Sequence, residues 1–433
     1  MTRAYRLVWS AAALSGLADG VLKVALPLVA VGVTRSPALV AGLAFAVTLP
    51  WLLFALPAGA FVDRVDRRRA MAGANTLRAV LLGALVAGLL AGVATIWLLY
   101  LVAFCVGIAE TVHDTAAQSI VPQVVARDRL PVANARLYAA ELTANQFAGP
   151  PLAGALVVAG AAAPFVGATG LWLAAAAALL PMRGSFRVAR PPDAAGAGIR
   201  AEIVEGVRWL WRQRLLRTFA AMVGVSNFAS NAAFAVLVVY AVGPGSAMGL
   251  SAPEYGWLLT ALAVGSLLGS LLSGPVVRAL GRARGLAVAL TTAAALVGVP
   301  ALTTNPFTIS ASFVVGGAGI VIANVVMVSL RQSITPDHLL GRVNSCYRLV
   351  AWGTMPLGAA TGGLLAEAFG VRPVFAIMGV LVLTTLLGLR TATNAAMEAA
   401  EAAADVVVPA QPTAATPAGE DAEGRPSGAR PGT

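Results

Sequence analysis

Apolar residues run nearly unbroken along the first 391 positions, in stretches of about twenty separated by short polar or basic breaks. A bilayer-spanning helix needs about 20 mostly apolar residues, because in lipid the backbone must satisfy its own hydrogen bonds. Twelve such stretches are expected to span: 8–33, 38–61, 71–92, 95–118, 137–159, 164–182, 216–242, 254–277, 285–303, 307–330, 347–369 and 372–391. Pro50, Pro57 and Arg78 interrupt the second and third. The first stretch follows Arg3 and Arg6 but continues to about Val33, past the 7–15 residues of a signal peptide's apolar region, so it reads as a membrane helix.

Two segments break the pattern. Residues 183–215 form the longest internal connection, opening with the polar piece Arg190-Pro-Pro-Asp193. Within it Ile199, Ile203, Val207 and Leu210 recur at a helical period, which predicts an amphipathic helix lying on the inner membrane surface, with an ordinary solvated linker helix as the alternative. After Thr393, Ala, Pro, Gly, Glu and Asp dominate, and a disordered tail over 394–433 is expected.

Composition supports this reading. The chain of 433 residues is 58% hydrophobic and 11% charged, with mean hydropathy +0.82, against about 25% charged residues in soluble domains. The net charge of +11 does not indicate nucleic acid, because the charges sit in short clusters between apolar runs. Twenty-nine of the thirty basic residues are arginines. Twenty-six of them fall at the two ends and in the even-numbered connections; only Arg35 and Arg372 fall in odd-numbered ones. The positive-inside rule then predicts that both termini are cytoplasmic. Cys105 and Cys346 lie in or beside apolar runs and read as small buried thiols, with no disulfide or metal assigned.

The densest charge cluster is Gly59-x-x-x-Asp63-Arg64-x-Asp66-Arg67-Arg68-Arg69. A weaker copy, Gly274 to Arg284, follows 215 residues later, pairing Gly59 with Gly274, Arg67 with Arg282 and Arg69 with Arg284. Gln118-Ser119-Ile120 and Gln332-Ser333-Ile334 repeat at an offset of 214, and Leu130–Asn134 resembles Leu340–Asn344. Matches in the same order, six spans apart, predict two parallel halves of one orientation.

These residues resemble the major facilitator superfamily and its signature loop between spans two and three. The spelling of the loop, Asp19 ahead of Pro27, and Glu205-Gly206 before span seven look like the branch of bacterial exporters containing macrolide-efflux and enterobactin-exporter-like proteins. The resemblance covers residues 1 to about 393. It implies an all-α polytopic membrane protein of twelve transmembrane helices in two parallel six-helix halves. Residues 1–182 and 216–393 would be the halves, and 183–215 the linker. It also implies a conformational latch at Gly59, Asp63, Arg64, Arg67 and Arg68. Two departures stand out: Arg278 replaces Asp63 in the second copy, and the fourth span lacks the buried arginine of many drug–proton antiporters, holding Glu110, His113 and Asp114 instead.

The candidate chemistry follows from charges placed in lipid. A charge at mid-bilayer costs about 3 kcal/mol or more, so such residues line a polar cavity or pair. Asp19 and Lys23 share a face of span one, either as a ligand-binding or proton-relaying pair or as a self-neutralising one. Glu110, His113 and Asp114 are expected to form a polar network near the cytoplasmic end of the cavity, with Arg78 on span three. Glu141 is expected to pair with Arg136 or Arg348. Gly59 is expected to let two helices approach closely, and Gly149-Pro150-Pro151-Leu-Ala-Gly154 to form a packing kink resembling the exporter-type Gly-Pro motif. Asn227, Asn231, Gln146, Asn324 and Trp352 are candidate cavity liners, with Phe228 and Tyr240; the asparagines serve equally well as interhelical glue.

The function expected is non-enzymatic: secondary export of a small amphipathic drug, antibiotic or siderophore-like metabolite by alternating access, through proton-coupled antiport. No P-loop motif is present. The partners expected are the small-molecule substrate, the proton gradient and the lipid bilayer, with no cofactor, metal or nucleic acid, and the chain acting as a monomer. An importer or facilitator of the same fold, or a transporter-like membrane receptor, is the alternative.

Overall fold

The computed structural model describes residues 2–62, 64–126, 129–187, 199–243 and 245–407. Arg190–Asp193 lies outside these residues. The described chain is helical throughout: α1 (Arg3–Val33), α2 (Pro37–Val62), α3 (Arg67–Leu90), α4 (Ile96–Val124), α5 (Leu130–Leu142), a π-helical turn (Thr143–Ala148), α6 (Gly149–Val158), α7 (Ala163–Leu179), α8 (Ile199–Arg212), α9 (Arg214–Ala241), α10 (Ala252–Leu280), α11 (Arg282–Leu302), α12 (Pro306–Ile334), α13 (Asp337–Phe369), α14 (Val371–Thr384, continued to Arg390 as a 3₁₀ helix) and α15 (Asn394–Val407).

Among the described residues, ten helices are long and apolar enough to cross a membrane, where the hydropathy pattern predicts twelve stretches. The fifth stretch is divided. Pro150 and Pro151 have no N–H to give the carbonyls one turn back, and Gly149 donates instead to Ala144 five residues earlier, opening a π turn. The sixth is only the 17-residue helix Ala163–Leu179. α8 forms where the helical period predicts; Leu210 is buried and Trp211 is 65% exposed.

Three apolar clusters hold the bundle. One joins α1–α4, α6 and α7 to α9–α14 at the end away from the arginine-rich loops, through Val29, Leu99, Phe165, Tyr240, Leu258 and Phe375 among others. At the arginine-rich end the core divides. Tyr5, Val8, Ile120 and Leu179 form one cluster, and Leu216, Phe219, Leu330 and Met397 another.

Small residues make the crossings at the joined end. A Cβ on Gly256 of α10 would lie 2.4 Å from the Pro150 carbonyl oxygen, and one on Gly154 of α6 would lie 2.5 Å from that of Ala252. Across the bundle, Gly363 of α13 abuts Ala38 and Ala41 of α2. Glu367 of α13 accepts from Ser36 Oγ at 2.7 Å and from the Ala38 amide at 3.3 Å, placing a carboxylate on the N-terminus of α2. The Gly149–Gly154 segment therefore is a packing motif: Gly149 meets the Gly20 backbone of α1, and Gly154 meets α10.

Two expectations are corrected. A Cβ on Gly59 would meet nothing within 4 Å, so no close helix approach depends on that glycine. The tail is not structureless from residue 394: Asn394–Val407 is helix α15, and Ala392 and Met397 are fully buried against α9, α11 and α12. Alanine-rich sequence without a long apolar run conceals a helix whose single buried methionine sets its docking. Residues 408–433 lie outside the described residues.

The glycine contacts make a measurable contrast. Gly256→Ala should lower the unfolding free energy by about 1–3 kcal/mol, since backbone atoms cannot yield as a side chain would. Gly59→Ala should leave it unchanged. Thermal unfolding of the purified protein in detergent measures both.

Candidate functional site

A fully buried charge of the bundle is Arg78 of α3. Its Nη1 donates to Asp19 Oδ1 of α1 at 3.2 Å and to Ser15 Oγ at 3.1 Å, and Ser15 Oγ in turn donates to Asn75 Oδ1 at 3.2 Å. The guanidinium stacks 5.3 Å from the ring of Trp172 on α7, which is fully buried. α7 packs against both α1 and α3, and Arg78 reaches from α3 to side chains of α1 and α7, so one arginine ties three helices. Ser15, Asn75 and Trp172 escaped the sequence reading. Ser15 lies one turn before Asp19 and Asn75 one turn before Arg78, a helical-face signal that was available.

Asp19 and Lys23 do not neutralise each other as a pair. Asp19 takes Arg78, while Lys23 Nζ donates to Asn145 Oδ1 at 3.2 Å, on the π turn. Lys23 is the exposed position in an otherwise covered stretch of α1, from Ser10 to Val31. A lysine in that place faces a polar interior rather than lipid. The π turn is what brings Asn145 to it, with Gly20 allowing the two backbones to touch.

Arg78 hydrogen-bonds Asp19 and Ser15, so the expected bond to the α4 acids is replaced by an electrostatic relation. Asp19, Glu110, Asp114, Lys23 and Arg78 interact as one charged group, and Glu141 of α5 joins it through Asp19 and Asp114. His113 is buried and its Nδ1 lies 3.1 Å from Asp114 Oδ1. The charges acting on Glu141 are those acids, where Arg136 had been expected; the Arg348 side chain is outside the described ones. The Asp114 side chain is 37% exposed and that of Asp19 is 15% exposed, so two carboxylates remain reachable from the interior. Such an arrangement can bind a cation or exchange protons against it. Among the described residues no three His, Cys, Asp or Glu are grouped to hold a metal ion.

The expected cavity liners divide. Asn227 Nδ2 donates to the Ala351 carbonyl at 2.7 Å, which makes it glue between α9 and α13, while Asn231 Nδ2 donates to the Asn227 carbonyl at 2.9 Å within α9. Tyr240 is buried and donates to the Pro300 carbonyl at 2.7 Å. Gln146 and Asn324 are exposed. Trp352 packs edge-on to Trp51 with ring centres 5.1 Å apart, joining α13 to α2.

In the charged loop, Asp63 lies outside the described residues. Arg64 is exposed. Arg67 Nη1 donates to the Ser119 carbonyl at the end of α4 at 2.6 Å, and Arg68 Nη1 to the Met182 carbonyl after α7. With its amide oriented to suit both neighbours, Gln123 accepts from Arg67 at 2.9 Å and donates to the Phe186 carbonyl at 3.2 Å. The acid holding this corner is Asp66. It caps α3 through the Arg69 amide at 3.1 Å and accepts from the Phe186 amide at 2.7 Å. An Asp directly before a helix-starting run is an N-cap signal in sequence alone.

Comparison with known proteins agrees with this architecture. The family model of the transmembrane secretion effectors matches residues 1–419. The multidrug efflux pump Tap of Mycolicibacterium fortuitum is 29% identical over 384 residues, covering 85% of this chain and 90% of that one. Tap of Mycobacterium tuberculosis (strain ATCC 25618 / H37Rv) is 28% identical over 414 residues, covering 89% and 92%. Among solved structures, a bacterial homologue of the iron transporter ferroportin in its inward-facing state superposes with TM-score 0.70 at 18% identity, covering 90% of this chain and 98% of that one. The nucleoside transporter NupG superposes with TM-score 0.69 at 13% identity, covering 90% and 99%. A multi-pass helical bundle, a polar interior built on Asp19 and Arg78, and a family match over nearly the whole chain lead to one assignment: the chain belongs to the transmembrane secretion effector family of major facilitator transporters.

Proposed function

We propose that this protein exports a small amphipathic molecule across a bacterial inner membrane by alternating access, in exchange for protons. The observation that carries the reading is the charged group around Asp19 and Arg78, facing an interior whose walls are joined at one end and divided at the other. The efflux pumps among its relatives support the outward direction.

In this reading the chain has twelve spans. α5, the π turn and α6 make the fifth, α7 the sixth, and α9–α14 the remaining six. The halves are 1–182 and 216–393, with 183–215 as linker and α8 on the inner membrane surface. The arginine-rich end and both termini are cytoplasmic, and the chain works as a monomer. The divided core then faces the cytoplasm, so the structure corresponds to an inward-open state. The Glu367 cap on α2 and the glycine crossings close the outer end.

Coupling follows from shared carboxylates. Protonating Asp19 removes the charge that neutralises Arg78 and loosens α1 from α3; a cationic or dipolar substrate competes with protons for Asp19 and Asp114. Glu110 and Glu141 are further carboxyls of the same group that can take up or release a proton as the site changes occupant. Two ligands that displace one another from one site, on opposite sides of the membrane, exchange by linkage. Lys23, Gln146, Asn324 and Trp352 shape the cavity, and Asp63, Arg64, Arg67 and Arg68 act as the cytoplasmic latch.

Cells expressing the chain should accumulate less ethidium, a lipophilic cation, than cells without it. Asp19→Asn should abolish the difference by about tenfold or more at equal membrane level, the loss of an essential charge contact. Unchanged or higher accumulation with the wild-type chain would overturn export and leave the importer or receptor alternatives. In proteoliposomes, collapse of the proton gradient should stop uphill movement of the dye.

Stability separates the two cations of the site. Arg78→Met leaves Asp19 buried without its partner and should cost about 3–5 kcal/mol of unfolding free energy. Lys23→Met removes one solvent-accessible hydrogen bond and should cost below about 1 kcal/mol. Denaturant or thermal unfolding of the purified variants reads both.

A further inference from the structure

The two copies of the repeat are finished differently at the arginine-rich end. In the first, Asp66 caps α3 and holds the chain that follows α7, where Met182 is buried and the Phe186 amide meets the carboxylate at 2.7 Å. Arg67 clamps the end of α4 through Ser119. In the second, 215 residues on, Gly281 stands at the place of Asp66, with φ +79°, and α11 starts with no cap from its own N-cap side chain. Arg282 stands at the place of Arg67, Ser333 at that of Ser119, and Arg278 at that of Asp63. The second loop therefore keeps two of the first loop's bases, as Arg282 and Arg284, has Ala279 and Ala283 in place of Arg64 and Arg68, and has neither of its acids.

The missing oxygens come from the tail. Asn394 Oδ1 accepts from the Ala283 amide at 2.8 Å, in the first turn of α11. Glu401 Oε2 accepts from Arg282 Nη1 at 2.7 Å, and its Oε1 accepts from Ser333 Oγ at 3.1 Å at the end of α12. Between them Met397 is fully buried beside Ala392, in the cluster that contains Leu286 and Leu330. Met397 and Glu401 stand 215 residues after Met182 and Phe186. The segment following the last span thus occupies the same place in the second copy as the segment following α7 in the first, with the direction of the capping contact reversed. In the first copy the loop carboxylate reaches the following chain; in the second the following chain brings the carboxylate and amide oxygens to the loop.

We propose that residues 394–401 are a strap that replaces the acids lost from the second loop. Glu401 locks α11 to α12 and Asn394 caps α11 in trans, and the strap is required for the second half to move as one body during transport. The requirement for movement rests on the two-half transport reading above; the docking chemistry does not.

Hydrogen exchange on the purified full-length protein, with ethidium efflux in cells, tests it. Glu401→Gln and Asn394→Ala should each speed exchange over residues 281–286 by about fivefold or more, as for a lost helix cap, and leave residues 119–124 unchanged. Both should reduce ethidium efflux by about threefold or more at equal membrane level. The charge exchange Arg282→Glu with Glu401→Arg should restore slow exchange and most of the efflux, which a variant that merely misfolds would not do. Unaltered exchange in both single variants overturns the strap. Faster exchange with full efflux overturns its role in transport, as does a charge exchange that restores neither readout. A wild-type chain that moves no ethidium overturns the export reading instead, and the exchange measurements then decide the strap by themselves.

Discussion

A guanidinium inside a membrane bundle has to be neutralised where it sits, and Arg78 imposes that condition on the first half of this chain. Its charge is met by Asp19, a second bond from the same Nη1 goes to Ser15, and its flat face meets Trp172, while Nε and Nη2 stay buried without a hydrogen-bond partner. Those partners lie on α1 and α7, so satisfying one side chain fixes the mutual rotation of three helices. Once Asp19 is committed to Arg78, Lys23 must find another acceptor, and the π turn offers Asn145. The turn exists because two consecutive prolines remove two helical donors. The commitment of Asp19 to Arg78 thus leaves Lys23 to an acceptor that a proline-made irregularity supplies.

The same condition explains why the interior stays reactive. A pair that is fully enclosed on all sides is structural ballast; this one is enclosed on the Arg78 side and partly open on the Asp19 side. The neighbouring acids Glu110, Asp114 and Glu141 have no basic hydrogen-bond partner among the described residues apart from His113. Four carboxylates share only Arg78 and Lys23 as strong bases, so they cannot all be ionised unless water or a positive guest meets them. Packing supplies the rest: where backbones touch at Gly154, Gly256 and Gly363, the outer end closes without side chains between the helices.

Much of this was legible in the sequence, and the misses have physical causes. Long apolar runs mark the helices, because lipid admits few other structures. They do not mark where Pro150 and Pro151 divide one of them, since a π turn leaves composition unaltered. Asp19 and Arg78 were legible as costly charges, but their pairing was not: Lys23 is nearer in sequence, while Arg78 is nearer in space. Gly59 and Gly256 are the same letter, and only the fold distinguishes open surface from backbone contact. Asn227 carried two readings, and its bond to the Ala351 carbonyl decides for interhelical glue. Asp66 and α15 are inconspicuous for the same reason: charge runs stand out in a sequence, whereas a cap or a docked alanine-rich helix depends on one or two atoms.

The repeat in the sequence makes these last two features intelligible together. In the two-half reading proposed above, doubling a six-helix unit also doubles its need for acceptors at the arginine-rich end, because each copy exposes the first amides of its third helix and an arginine beside them. The first copy meets that need within the loop, through Asp66. The second has Gly281 there, which frees the loop to turn at positive φ but leaves the amides and Arg282 without an oxygen of their own. Asn394 and Glu401 lie at the place in chain order where the first copy has its own post-span segment. A repeat can therefore lose its local cap without losing the contact, provided that the chain continues past its last span. In that sense the end of the twelfth stretch is not the end of the folded unit, and hydropathy, which sees only the membrane, places the boundary too early.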